Sequence, residues 1–131
     1  MNNYKQLTVW QKAVKLAIEV YKPTSHFPDS EKFGLTSQIR RAATSVPANI
    51  AEGWARGTTK EYIHFLLIAR GSLMELETHL IIAQHLSYMS QEQLDRMAAR
   101  IEEIGKMLNG LIQSLKRLKS REGSPVLIPN S

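Results

Sequence analysis

The last third of the chain carries a seam that only a packed helix can use. Leu94, Met97, Ile101, Ile104, Leu108, Leu111, Leu115 and Leu118 follow one another at alternating steps of three and four residues. Held for almost four heptads, that spacing lines one side of an α-helix and requires another helix to cover it. Ser90-Gln91-Glu92-Gln93 just ahead of it fits a capping box, in which the serine hydroxyl and the Gln93 side chain satisfy free backbone amides reciprocally. Gly105 and Gly110 lie inside the pattern. Each costs about 1 kcal/mol relative to alanine, so both read as marks of close helix approach.

The preceding segment behaves alike. After a second expected capping box at Thr58-Thr59-Lys60-Glu61, Tyr62, Leu66, Ala69, Leu73, Leu76, Leu80 and Ala83 form another three-and-four seam. Off that seam lie Ile63, Leu67, Met74 and Ile81, with Phe65, Ile68 and Ile82 between them. This apolar arc is wider than a bundle helix needs, so its outer part is expected against another subunit or within a deeper core.

Two earlier helices complete the set. The first, about Thr8 to Tyr21, places Trp10, Val14, Ala17 and Tyr21 on one stripe, with Val9, Ala13 and Val20 beside it. The second, Leu35 to Ala55, repeats Leu35, Ile39, Ala42, Val46, Ile50 and Trp54 around a central Pro47. Proline removes one intrahelical hydrogen bond and crowds the preceding turn. The apolar spacing resumes beyond it, which predicts a kinked, continuous helix, with Thr44 and Ser45 placed to help satisfy the freed Ala43 carbonyl; the rival reading is two shorter helices joined there. Four amphipathic helices with short links predict an all-α, antiparallel up-and-down four-helix bundle over residues 1–120, with a mobile tail at 121–131.

Composition narrows the function. The chain has 131 residues, no cysteine and a formal charge of +5. It therefore has no disulfide, thiolate metal site or cysteine nucleophile. The modest positive balance permits attraction to nucleic acid, an acidic protein or anionic lipid. No apolar run approaches a membrane span and the first residues are polar, so a cytoplasmic protein with no membrane partner is expected.

The block from Phe33 to Gly53, FGLTSQIRRAATSVPANIAEG, resembles the signature of one family. These are the bacterial four-helix-bundle proteins named after open reading frames in intervening sequences of 23S ribosomal RNA genes. The resemblance continues through Val9-Trp10-Gln11-Lys12-Ala13, Tyr62-Ile63-His64-Phe65-Leu66 and Gly71 to Thr78, and covers roughly residues 5 to 118. It implies a small bundle assembling as a homopentameric ring. It also implies a fold similar to the accessory protein of diversity-generating retroelements, which partners a reverse transcriptase and nucleic acid. It supplies no catalytic residue.

Three kinds of site were weighed from the residues. Gln38, Arg41, Ser45, Asn49, Glu52 and Arg56 recur at three- and four-residue steps, a polar stripe placed opposite the Leu35–Ile50 seam. With the apolar Trp54, Ile63, Leu67 and Met74, that stripe is the expected subunit interface or else a ligand-facing lining of the ring channel, against the plainer alternative of a solvated helix face with weak pairs. Arg40, Arg56, Lys60, Arg96, Arg100, Lys116, Arg117, Lys119 and Arg121 are the expected phosphate contacts if the assembly binds RNA or DNA. For the C-terminal group, the plainer role is to complement the helix dipole. Glu61-x-x-His64 supplies one of the two Glu-x-x-His units of a bundle di-iron centre, and the last helix has no histidine. No metal, cofactor or catalytic residue is expected. The leading expectation is a non-enzymatic, ring-forming scaffold or adaptor, and the second is nucleic-acid binding by that ring.

Overall fold

A computed structural model describes residues 3–121. Four long helices dominate it: α1 (Thr8–Glu19), α2 (Leu35–Ala55), α3 (Thr59–His85) and α4 (Gln91–Ser120). Short helical turns occur at Tyr4–Gln6, Tyr21–Thr24 and Asp29–Glu31. Among the described residues there is no strand. The expected tail lies, from residue 122 onward, outside the described residues.

Local chemistry sets the helix ends. The capping box of α4 is complete: Gln93 N donates to Ser90 Oγ at 3.1 Å and Ser90 N donates to Gln93 Oε1 at 2.9 Å. At α3, Glu61 N donates to Thr58 Oγ1 at 3.2 Å, which is only the threonine half of the expected box. That helix closes on Ser87, whose φ of 63° lets Tyr88 N donate to Ala83 O at 2.9 Å. The geometry is the left-handed helix stop that glycine more commonly supplies.

Helix α2 runs unbroken through Pro47, which is buried. The nearby hydroxyls go elsewhere than expected. Thr44 Oγ1 donates to the Arg40 and Arg41 carbonyls, and Ser45 Oγ meets Ser72 Oγ on α3 at 2.9 Å. Thr44 is exposed and bonds back into its own turn, whereas Ser45 faces a neighbouring helix.

The four helices pack in a cycle: α1 on α2, α2 on α3, α3 on α4 and α4 on α1. Every residue of the α3 seam from Tyr62 to Ala83 is buried, as is the α4 seam from Leu94 to Leu115. In α1 the buried stripe is Val9, Ala13, Leu16, Ala17 and Val20, turned away from the expected one. Trp10 and Val14 are half-buried and Tyr21 is 44% exposed. Helix α1 touches both α2 and α4, so its buried arc centres between them. Trp10 packs at the edge, its ring 5.3 Å from that of Tyr4.

The closest approach joins α2 to α3. A Cβ at Gly53 would sit 2.8 Å from Phe65 Cβ and 3.1 Å from Tyr62 Cδ1. The small residue is therefore required at that crossing, as the run of small residues in α2 suggested. Gly105 and Gly110 differ from expectation. A Cβ at Gly105 would make ordinary contact with Leu73 at 3.7 Å, and one at Gly110 would meet open space. Beside the Gly53 crossing, Tyr62 is 2% exposed and its hydroxyl has no hydrogen-bond partner among the described residues. Burial pushes the Tyr62 phenol well above the ordinary tyrosine value.

Two substitutions at this crossing should move stability in opposite directions. Gly53→Ala overpacks it and should cost about 1–3 kcal/mol. Tyr62→Phe removes an unpaired buried hydroxyl and should raise stability by about 1 kcal/mol. Urea unfolding followed by circular dichroism checks both, and a loss of stability in Tyr62→Phe would mean that the hydroxyl is paired.

Candidate interaction surfaces

The polar stripe of α2 divides in two. Ser45 and Asn49 are half-buried: Asn49 Nδ2 donates to Ser45 O at 2.8 Å and to Ser45 Oγ at 2.9 Å, and Ser45 reaches Ser72. These groups tie α2 to α3 within one chain, and so do not lie opposite the apolar seam. Gln38, Arg41, Glu52 and Arg56 are exposed. Arg56 Nε lies 3.0 Å from Glu52 Oε2, and its guanidinium stands 4.8 Å from the centre of the Phe65 ring. An exposed pair of this kind contributes little to stability.

The four apolar interface candidates also separate. Ile63 is 8% exposed and belongs to the core. Trp54 is half-buried, its ring 6.3 Å from that of Tyr4. Leu67 and Met74 point outward, and Ile68, Ile81 and Ile82 join them, each between 37% and 45% exposed. Leu86 extends the patch past the end of α3. Leu67, Met74 and Ile81 stand seven residues apart on one line, so α3 carries an outer apolar stripe behind its buried seam. Gly71, exposed between Leu67 and Met74, leaves open space on that line.

Most of the expected phosphate-binding arginines are engaged within the fold. Arg40 Nε donates to Thr24 Oγ1 at 2.9 Å, Arg40 Nη2 donates to Tyr21 O at 3.3 Å, and its guanidinium lies 4.5 Å from the Tyr21 ring centre. It locks the Tyr21–Thr24 turn to α2. Arg100 Nη2 is 3.0 Å from Glu19 Oε2, joining α4 to α1, and Lys12 and Glu103 pair at 3.3 Å along the same boundary. Arg96 and Glu92 are 4.0 Å apart on exposed side chains, a loose pair. Lys60, Lys116, Arg117 and Lys119 are exposed and have no acidic partner among the described residues. Arg121, also exposed, closes the last turn of α4 with its amide on the Leu118 carbonyl.

Arg70 Nη1 donates to Asn109 Oδ1 at 3.0 Å and Gly105 lies beside Leu73, so the middles of α3 and α4 meet with residue numbers rising on one as they fall on the other. The Lys116–Lys119 group and Lys60 therefore gather at one end of the molecule. Sequence spacing alone did not join them, because they lie on different helices.

Among the described residues no three metal-ligating side chains converge. Glu75 and His79 come within 3.9 Å and stand as an isolated pair. A carboxylate that the sequence did not single out organises the other end. Glu31 accepts from Leu35 N at 3.0 Å through Oε1 and from Tyr88 Oη at 3.0 Å through Oε2. It thereby caps α2 and ties down the turn after α3. That hydrogen bond raises the Tyr88 phenol above its ordinary value.

A model of the family described as 23S rRNA-intervening sequence protein matches residues 5–110. A solved structure of a protein with unknown function, from the S23 ribosomal protein family of Bacteroides thetaiotaomicron VPI-5482, is similar along most of its length. It is 27% identical with a TM-score of 0.74, and the match covers 80% of this chain and 98% of that one. No curated protein matches the chain.

Arg40 serves the fold by planar bidentate donation and stacking, which lysine cannot reproduce. Arg40→Lys should therefore lower stability by about 1 kcal/mol in denaturant unfolding, while Lys116→Ala, at an exposed site, should leave it within about 0.5 kcal/mol of the parent.

Proposed function

The chain belongs to the 23S rRNA-intervening sequence protein family, and on that premise we propose that it is a non-enzymatic, self-assembling helical scaffold. In this reading the four helices form an up-and-down bundle bent at Pro47, and copies close into a homopentameric ring in the bacterial cytoplasm. Cross-contacts support the alternating direction. Ser45 meets Ser72 while Gly53 meets Tyr62, and Leu73 meets Gly105 while Arg70 meets Asn109. Rising residue numbers on one helix face falling numbers on the next. Among the described residues, no helix is long and apolar enough to cross a membrane.

One observation carries the self-assembly. Helix α3 buries a full seam inside the protomer and still exposes Leu67, Ile68, Met74, Ile81 and Ile82 on its outer side. Removing apolar surface from water is favourable by roughly 25 cal/mol per Å², and a contiguous outer stripe on a helix marks a contact surface more than a solvated face. A second copy is the partner available wherever the protein is present, and ring closure places each outer stripe against a neighbour.

A second reading, nucleic-acid binding by the ring, rests on Lys60, Lys116, Arg117 and Lys119. They cluster at one end without acidic partners among the described residues. Repeating the cluster around a ring would multiply its field. A protein partner such as a reverse transcriptase would add a further surface to the same assembly.

Light scattering coupled to size-exclusion chromatography should give a mass of several protomers for the parent protein. Leu67→Glu with Met74→Glu should give a folded monomer. A parent protein monomeric at micromolar concentration overturns the scaffold reading. Fluorescence anisotropy with generic RNA and DNA should show binding that weakens steeply with salt. Binding unaltered by charge reversal at Lys116, Arg117 and Lys119 removes that cluster from the second reading.

A further inference from the structure

Leu67 and Met74 stand three residues before and four after Arg70. Residues so spaced share one side of a helix, and Arg70 points at α4, where its Nη1 donates to Asn109 Oδ1 at 3.0 Å. This part of the outer stripe therefore borders α4. Gly71 sits between the two, exposed, with open space where a side chain would stand. Lys60 begins the same line, seven residues before Leu67, and is exposed without an acidic partner among the described residues. The residues beside the line at helical steps between Lys60 and Met74 are Ile63, His64, Arg70 and Gly71, and none is acidic. The strip from Lys60 to Met74 is thus an apolar shelf with a cationic start.

The end of α4 delivers the chain to the start of this strip. Helices α3 and α4 run past each other with opposite numbering, Arg70 level with Asn109 and Leu73 beside Gly105. Ser120 lies eleven residues beyond Asn109, and Thr59 eleven before Arg70. At about 1.5 Å per residue, the last residue of α4 falls level with the first of α3. Beyond the described residues the sequence continues Glu122-Gly123-Ser124-Pro125-Val126-Leu127-Ile128-Pro129. The one charge in that segment is negative, and its three large apolar residues are consecutive. Turn chemistry calls for glycine, proline and small polar residues, so it accounts for the flanks of the segment and not for its centre.

We infer that Val126, Leu127 and Ile128 fold back along α3 of their own chain and cover Leu67, Gly71 and Met74, competing with a second copy for the assembly face. This control of assembly rests on the self-assembly reading. Pro125 and Pro129 fix their own φ and hold the residues before them extended. An extended chain advances about 3.1 Å per residue, so Glu122 to Ile128 spans about 19 Å. Lys60 to Met74 spans about 21 Å along α3. With Glu122 among the cations at Lys60, Val126 falls beside Leu67 and Ile128 beside Met74. The chain's own segment has the advantage over a free copy, because a short tether holds it at an effective concentration on the order of millimolar. Docking of a copy then requires the segment to leave. A cover seated about nine-tenths of the time weakens docking about tenfold.

The chain has no cysteine, so an introduced pair reports on this contact alone. Gly71→Cys with Leu127→Cys places one thiol on the strip and one in the segment. Gly110→Cys with Leu127→Cys is the control, since Gly110 is exposed on α4 and, like Gly71, has open space around an added Cβ. In dilute solution the first pair should close an intrachain disulfide several times faster than the second. The closed chain should stay monomeric in light scattering and assemble once reduced. In the full chain, Val126→Ser with Leu127→Ser and Ile128→Ser should keep the parent circular dichroism and associate at about tenfold lower concentration. Equal closure rates, a disulfide formed only between chains, or a triple-serine chain that associates no more readily than the parent overturns the cover and leaves the ring reading standing. A protein monomeric both with and without the three serines overturns both.

Discussion

Helix α3 works on two sides, and the rest of the molecule follows from that. Its buried seam from Tyr62 to Ala83 receives α2 on one flank and α4 on the other, while Leu67, Met74 and Ile81 run along its back. A helix with apolar groups all round belongs in the centre of a core. Here the protomer covers only part of the arc. Helix α1 closes the cycle between α2 and α4 and does not reach round to the back of α3. The outer stripe is thus a consequence of using four helices to cover a helix that needs more.

The polar groups divide by task in a similar way. Arg40, Arg100 and Glu31 are partnered across element boundaries: the Tyr21–Thr24 turn to α2, α4 to α1, and the turn after α3 to the start of α2. Each supplies direction and register where apolar packing alone would be permissive. The lysines and arginine near the end of α4 have no such employment and complement the negative end of that helix. The exposed cations near the end of α4 thus differ from Arg40, Arg100 and Glu31, whose partners lie on other elements.

Much of this was legible in the residues. The α3 and α4 seams matched burial almost position by position, because each faces its neighbours with one narrow stripe and the three-and-four rhythm reports such a stripe directly. Helix α1 was harder. Its buried arc is shared between two neighbours, so it takes in Leu16, off the expected stripe, and leaves Tyr21 44% exposed under the Arg40 guanidinium. Gly105 and Gly110 carried the same local cost as Gly53, yet only Gly53 stands where another helix presses in. A glycine's contribution depends on what lies across from it, which periodicity does not record.

From its amino-acid order alone this chain was bound to form amphipathic helices, to start α4 on a capping box and to possess more apolar helix surface than a simple bundle hides. Those properties depend on neighbours within a turn or two, and spacing along the chain expresses them. Only the tertiary structure decided that α2 runs unbroken through Pro47, that Ser45 and Asn49 turn inward, that Arg40 is held by Thr24 and Tyr21, and that Ile63 belongs to the core while Ile68 and Ile82 do not. Each of these depends on which helix stands beside which. That is set by side chains remote in sequence meeting at distances of a few ångströms, where van der Waals contact and hydrogen bonding act.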